Sequence, residues 1–218
     1  MSELTLVIGN KNYSSWSLRP WLALRQSGVP FVERNMDIED PAAREEIRRV
    51  NPAGRVPALL HGDLLVWDSL AICEYAAETF RDARLWPADR NARAQARSAC
   101  AEMHSGFQAM RGAMPMNVRR SAPGRGRADG VDGDVARITQ LWQQCRKEHG
   151  AGGDMLFGRF SIADAFFAPV VSRFRTYGVD LDPVSQAYAD AVWALPAMRE
   201  WAAAAASEPA AIAKYEAV

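Results

Sequence analysis

Cysteine is scarce and scattered in this sequence: three among 218 residues, at Cys73, Cys100 and Cys145, with no Cys-x-x-Cys pair. An odd, widely spaced set argues against a disulfide framework and against a zinc or other metal site. An excess of either charge is also missing, since 26 Lys plus Arg face 26 Asp plus Glu. Non-specific affinity for nucleic acid needs surplus cations to neutralise phosphates, so no nucleic-acid partner is expected. No stretch approaches the roughly eighteen consecutive apolar residues that cross a bilayer, so no membrane span is expected either. The opening MSELTLVIGN lacks a basic region followed by a long apolar run. A secretory signal is therefore not expected, and a cytoplasmic location is. What is present is a 49% hydrophobic composition, enough for a sizeable core.

The hydrophobic pattern changes character near residue 85. Before it, short β-prone runs alternate with helical spacing. Thr5 to Ile8 ends at Gly9, and Leu18, Trp21, Leu22 and Arg25 then recur at helical spacing until Gly28. Pro30 to Met36 alternates as a strand, and Asp40-Pro41 opens a short charged helix to about Val50. Val56 to Leu60 and Leu64 to Trp67 flank His61-Gly62-Asp63 as a hairpin, and Leu70, Cys73, Ala76 and Phe80 mark another helix. The order is β-α-β-α-β-β-α, a compact α/β unit.

Beyond Leu85-Trp86-Pro87 the pattern is helical throughout. Ala96, Cys100, Met103, Phe107, Met110 and Met114 fall at steps of three and four, which predicts a core seam on one long helix ending at Pro115. Residues 121–134 carry four glycines and a proline and read as a loop, with a helix starting by Val135. The arginine-rich stretch from Arg111 to Arg127 is followed by Asp129, Asp132 and Asp134, as in a solvated loop. Ser161-Ile162-Ala163-Asp164 is a capping box with Asp in place of Glu.

Three stretches carry possible chemistry. In Tyr13-Ser14-Ser15-Trp16-Ser17-Leu18-Arg19-Pro20, the proline belongs in the first turn of its helix, which makes Ser17 the expected N-cap. Ser14 and Ser15 would then lie just ahead of the helix, beside free backbone N–H groups and the positive end of the dipole, a place that favours an anion. The same serines also read as plain capping and turn residues. In Arg55-Val56-Pro57-Ala58-Leu59, a cis bond before the proline would turn the Val56 backbone towards a ligand. In Trp67-Asp68-Ser69-Leu70, Asp68 and Ser69 stand where a strand ends and a helix begins, as a cap or as a receptor for an amine and a carboxylate.

Taken in order and spacing, these stretches and the later capping box resemble the glutathione transferase superfamily over essentially the whole chain. The resemblance implies a thioredoxin-like α/β domain over residues 1–82, a linker over 83–90 and an all-helical domain over 91–218. Ser14-Ser15-Trp16-Ser17 is closest to the serine-serine-cysteine motif of zeta-class enzymes, with Trp16 where that class carries cysteine. By that likeness Ser14, backed by Ser15, would stabilise the glutathione thiolate for attack on a small electrophile. Val56 would pair with the cysteinyl moiety through its backbone, Asp68 and Ser69 would hold the γ-glutamyl end, and Arg55 would reach a carboxylate. Met103, His104, Phe107, Arg111, Arg173 and Arg175 are candidates for the electrophile pocket. The resemblance further implies glutathione as co-substrate, no metal and a homodimer. Isomerisation of the maleylacetoacetate type, or a non-catalytic binding role on the same fold, are its alternatives.

Overall fold

The computed structural model describes residues 3–217. The first domain is β1 (Leu4–Gly9), α1 (Ser15–Ser27), β2 (Val32–Met36), α2 (Pro41–Val50), β3 (Ala58–His61), β4 (Leu64–Val66) and α3 (Ser69–Thr79). Its four-stranded sheet runs β2-β1-β3-β4, with β1 parallel to β2 and antiparallel to β3. One face of the sheet holds a small core of Val7, Met36, Ile47 and Ala58 against α2. The other holds Leu6, Ile8, Trp21 and Ile72 beneath α1 and α3, and this core continues without a break into the second domain. This is a thioredoxin-like α/β domain joined to a helical one.

The helical domain comprises α4 (Arg90–Ser105), α5 (Gln108–Ala113), α6 (Val131–His149), α7 (Ile162–Tyr177), α8 (Pro183–Ala194), α9 (Pro196–Ser207) and α10 (Ala213–Glu216). At its centre α7 is buried at every residue except Arg175, and it packs on α1, α4 and α8. No helix of the described residues is long and apolar enough to cross a membrane.

Three local expectations are corrected. The seam from Ala96 to Met114 is buried as read, but it lies on two helices. Gly106 is extended where a Cβ would sit 2.8 Å from the Glu102 carbonyl, and Phe107 turns left-handed at φ +61°. Arg111 then folds back on the freed end of α4, donating to the carbonyls of Met103, His104 and Gly106. A cation there also meets the negative end of the helix dipole. The second correction is that α6 begins at Val131, which puts Asp132 and Asp134 in its first turn, where carboxylates are favoured.

The third correction matters most for the site. Ser14, not Ser17, is the N-cap of α1, and Pro20 sits inside the helix. Tyr13 and Ser14 both donate their backbone N–H to the Asn10 carbonyl, at 3.1 and 2.8 Å, and that tight turn starts the helix one residue after Ser14. Ser17 is spent differently: its hydroxyl oxygen accepts from the Gly9 amide at 3.1 Å and ties α1 to the end of β1.

Candidate active site

The end of β1 brings two of the three sequence stretches together. A Cβ on Gly9 would lie 2.9 Å from Ile38 Cγ2, 3.1 Å from Val56 Cγ2 and 3.4 Å from Ser14 Cβ. The bare glycine therefore lets the Ser14 turn and the Val56 segment close on one another. The Val56–Pro57 peptide is cis, and so is Trp67–Asp68. Arg55 is exposed, and its carbonyl accepts from Asn51 Nδ2 at 2.7 Å.

At the start of α3, Asp68 caps the helix by accepting from the amides of Leu70 and Ala71 at 3.0 and 3.4 Å. Its other oxygen lies 3.0 Å from Nε2 of His104, in the helical domain. Ser69 is fully buried, and its hydroxyl has no partner among the described residues. His104 meets Trp16 edge-on, with ring centroids 5.1 Å apart, so a continuous contact runs from Asp68 through His104 to the start of α1. Burial pulls the His104 pKa down, helped by Arg19 and Arg111 and opposed by Asp68. The imidazole is thus neutral at neutral pH, and the tautomer that suits this site carries its proton on Nε2 and donates it to Asp68.

Three arginines gather at the start of α1, two of them on Trp16. The Arg19 guanidinium is 4.3 Å from the Trp16 ring and 4.7 Å from the Phe166 ring. Arg111 lies 5.0 Å from the same indole. Arg19 is fully buried, and none of its three nitrogens has a hydrogen-bond partner among the described residues. Burial, with Arg111 and Arg173 next in weight, pushes its pKa down to about 9. Arg173 is also pushed down to about 9, by burial and then by Arg111. It reaches from α7 to donate to the Met114 carbonyl at 2.7 Å and to the Ser15 hydroxyl at 3.2 Å. Buried cations are ordinarily matched by carboxylates. These are held by aromatic faces, carbonyls and a hydroxyl, which makes the start of α1 electropositive.

The remaining sequence candidates divide. His104, Arg111 and Arg173 join this cluster, through Trp16 or Ser15, whereas Met103 and Phe107 are buried in the continuous core. Arg175 leaves it altogether: its guanidinium stacks 4.5 Å from the Trp193 ring and lies 3.9 Å from Asp190. Two residues apart on a helix means nearly opposite faces, so Arg173 and Arg175 cannot both point inward. Burial raises the thiols of Cys73 and Cys100 well above the ordinary range and that of Cys145 up to about 12, so none is a nucleophile near neutrality. A cavity of about 1010 Å³ beside Trp86, at the domain hinge, contains none of the predicted site residues.

Arg19 was the residue that sequence reasoning passed over. Its signal was an arginine one turn after Ser15 on the same face as Leu18 and Leu22, where an apolar residue was due. The clamp on the Asn10–Tyr13 turn had no local signal. Glu208 accepts from the Lys11 and Asn12 amides at 2.7 and 3.0 Å, and Asn12 donates to Asn117 at 2.9 Å.

Comparison with known proteins places the two domains in known families. The family model for the glutathione S-transferase N-terminal domain matches residues 13–79, and that for the C-terminal domain matches residues 117–204. Maleylacetoacetate isomerase of Rattus norvegicus is 31% identical over 173 residues, covering 78% of this chain and 77% of its own length. A probable maleylacetoacetate isomerase of Caenorhabditis elegans is 28% identical, covering 78% of each chain. Among solved structures, a glutathione transferase homologue from Burkholderia with bound glutathione superposes with a TM-score of 0.69. It is 23% identical and covers 93% of this chain and 97% of that one.

Proposed function

Because the chain belongs to the glutathione S-transferase family, we propose that it binds glutathione at the start of α1 and stabilises the thiolate for attack on a small electrophile. The observation that carries this reading is the convergence of Ser14, Ser15 and three arginines without a matching carboxylate at a helix N-terminus. A free thiol titrates near 8.5, and each unit of depression needs about 1.4 kcal/mol in favour of the thiolate. A hydrogen bond to a charged group supplies about 1.5–3 kcal/mol. The helix terminus adds about 0.3–1, or up to about 2 when partly buried. Together these lower the thiol pKa by roughly one to three units, enough to leave bound glutathione mostly thiolate at neutral pH. The serines act as donors throughout and are not themselves deprotonated. No metal takes part in this scheme.

For the rest of the tripeptide, Val56 lies near Ser14 across Gly9, and its backbone before the cis proline suits the cysteinyl amide. Asp68 and the unpartnered Ser69 hydroxyl suit the γ-glutamyl amine and carboxylate. Trp16, His104 and Arg111 line the approach for the electrophile. The isomerase relatives favour a second reading, in which the thiolate adds to an unsaturated substrate, lets it rotate and leaves again. Exposed Leu64 and Trp67, at the edge of the sheet and beside Asp68, suit the homodimer that the family resemblance implies.

The test is glutathione binding by calorimetry together with conjugation of an aryl halide. Asp68→Ala is expected to weaken glutathione binding about tenfold or more, because it removes the carboxylate facing an ammonium. A protein that retains no glutathione, or one that binds it and turns over neither aryl halides nor unsaturated acids, would overturn the catalytic reading.

A further inference from the structure

Counting protons at the start of α1 separates the two serines. Ser14 shares a hydrogen bond with the Ser17 hydroxyl at 2.8 Å and accepts from the Ser17 amide at 3.4 Å, so its hydroxyl is engaged within the turn whichever serine supplies the shared proton. Ser15 is the opposite case. A guanidinium has only donors, so in the 3.2 Å contact between Arg173 Nη2 and Ser15 Oγ the serine oxygen must accept. The proton of Ser15 has no acceptor among the described residues. Arg173 is itself fixed by its bond to the Met114 carbonyl, and its remaining Nη1 has no partner among the described residues. Donation from a cation polarises the hydroxyl it holds and makes the outgoing O–H a stronger donor.

We propose that Ser15 is the hydroxyl that donates to the glutathione thiolate, and that Arg173 is its positioning residue, holding the serine oxygen from the helical domain so that the proton faces the sulfur. This rests on the glutathione reading above and assigns its serine function. Ser15 and Arg173 are 158 positions apart and belong to different domains, so the donor is set only when α1 and α7 are packed together. Ser14 then serves as the cap that starts the helix. No bond is made or broken in this device, and Arg173 touches neither sulfur nor electrophile.

The experiment is a titration of glutathione bound to the full-length protein, following thiolate absorbance in the ultraviolet against pH, with the glutathione affinity measured separately by calorimetry. Ser15→Ala is expected to raise the bound thiol pKa by about one to two units, and by more than Ser14→Ala does. Arg173→Met should raise it in the same direction. The double variant Ser15→Ala/Arg173→Met should rise no further than Ser15→Ala alone, and Arg173→Lys should recover part of the loss. The proposal is overturned if Ser14→Ala gives the larger rise, or if the Ser15 and Arg173 effects simply add. Should Arg173→Met fail to fold, the comparison of Ser14→Ala with Ser15→Ala still decides which hydroxyl faces the sulfur, and Arg173→Lys reads the arginine's part. Absence of glutathione binding to the unsubstituted protein would instead overturn the underlying reading, and the serine assignment with it.

Discussion

Replacing Arg19 with methionine is expected to raise the unfolding midpoint of the protein and to slow its chemistry in the same variant. The guanidinium is fully buried without a single hydrogen-bond partner among the described residues, and two other cations push against it. Desolvating a charge costs several kcal/mol, and exchange of a buried ionic group for a well-packed apolar one of similar volume is often stabilising by about 1–4 kcal/mol. Its contacts with the Trp16 and Phe166 rings return part of that cost, about 2 kcal/mol per desolvated contact. Methionine fills the same slot and keeps the contact with the rings. A net gain of about 1–2 kcal/mol corresponds to roughly 2–8 °C for a chain of this size. Under the proposed function the chemistry moves the other way, because a unit positive charge near the proposed thiolate position is removed from a poorly screened site. A loss of about 1.4 kcal/mol there is tenfold in rate, so kcat/KM with glutathione and an aryl halide should fall by about tenfold or more. Thermal unfolding and steady-state kinetics on one preparation check both halves. A variant less stable than the parent and equally active would show that Arg19 merely braces the core.

The largest loss of stability is expected from Asp164→Ala. This carboxylate is fully buried, and it accepts from the Leu156 amide at 3.0 Å and from the Ser161 amide at 2.8 Å. It thereby joins the strap before α7 to the first turn of the most deeply buried helix in the protein. Truncation leaves two buried amides without acceptors, each costing about 1–3 kcal/mol, and opens a small void. A total near 4 kcal/mol lowers the melting midpoint by roughly 10 °C.

The same residue predicts a pH dependence. Burial outweighs its hydrogen bonds and pushes the Asp164 pKa up to about 6. In the unfolded chain an Asp titrates near 3.9, so the folded state takes up the proton first as pH falls. Relative to Asp164→Asn, which cannot titrate, the parent protein should gain stability as pH drops from about 6 towards about 4, and change no further below that. The span is about 3 kcal/mol. A flat difference curve from denaturant unfolding would mean that the carboxylate stays ionised inside the fold.

Much of this molecule was legible because its signals are local. The capping pair Asp40-Pro41, the box Ser161–Asp164 and the hairpin at His61-Gly62-Asp63 each resolve within a few residues, and each appears where it was read. Burial of the Met-rich seam follows from helical spacing alone, whether or not the helix is continuous. The errors fall where a local rule met a competing one. Pro20 argued for a first-turn position, but the Asn10 carbonyl captured the Tyr13 and Ser14 amides and started the helix earlier. Helical spacing from Ala96 to Met114 argued for one helix, but the extended Gly106 and left-handed Phe107 divide it.

The sequence by itself determined the two-part architecture, the helix and strand types and the segments from which a site could be built. These depend on periodicity, capping chemistry and composition, all expressed within one or two turns of chain. Only the tertiary structure decided that Arg173 reaches Ser15 while Arg175 turns to Asp190, and that Arg19 lies beside Trp16 without a hydrogen-bond partner among the described residues. The physical reason is competition for partners. Ser15 meets Arg173 across 158 positions and Lys11 meets Glu208 across 197, and no local pattern records which donor reaches an acceptor once the domains have packed. The scarcity of cysteine gains a meaning it lacked at the start: under the proposed function, the working sulfur arrives with the ligand.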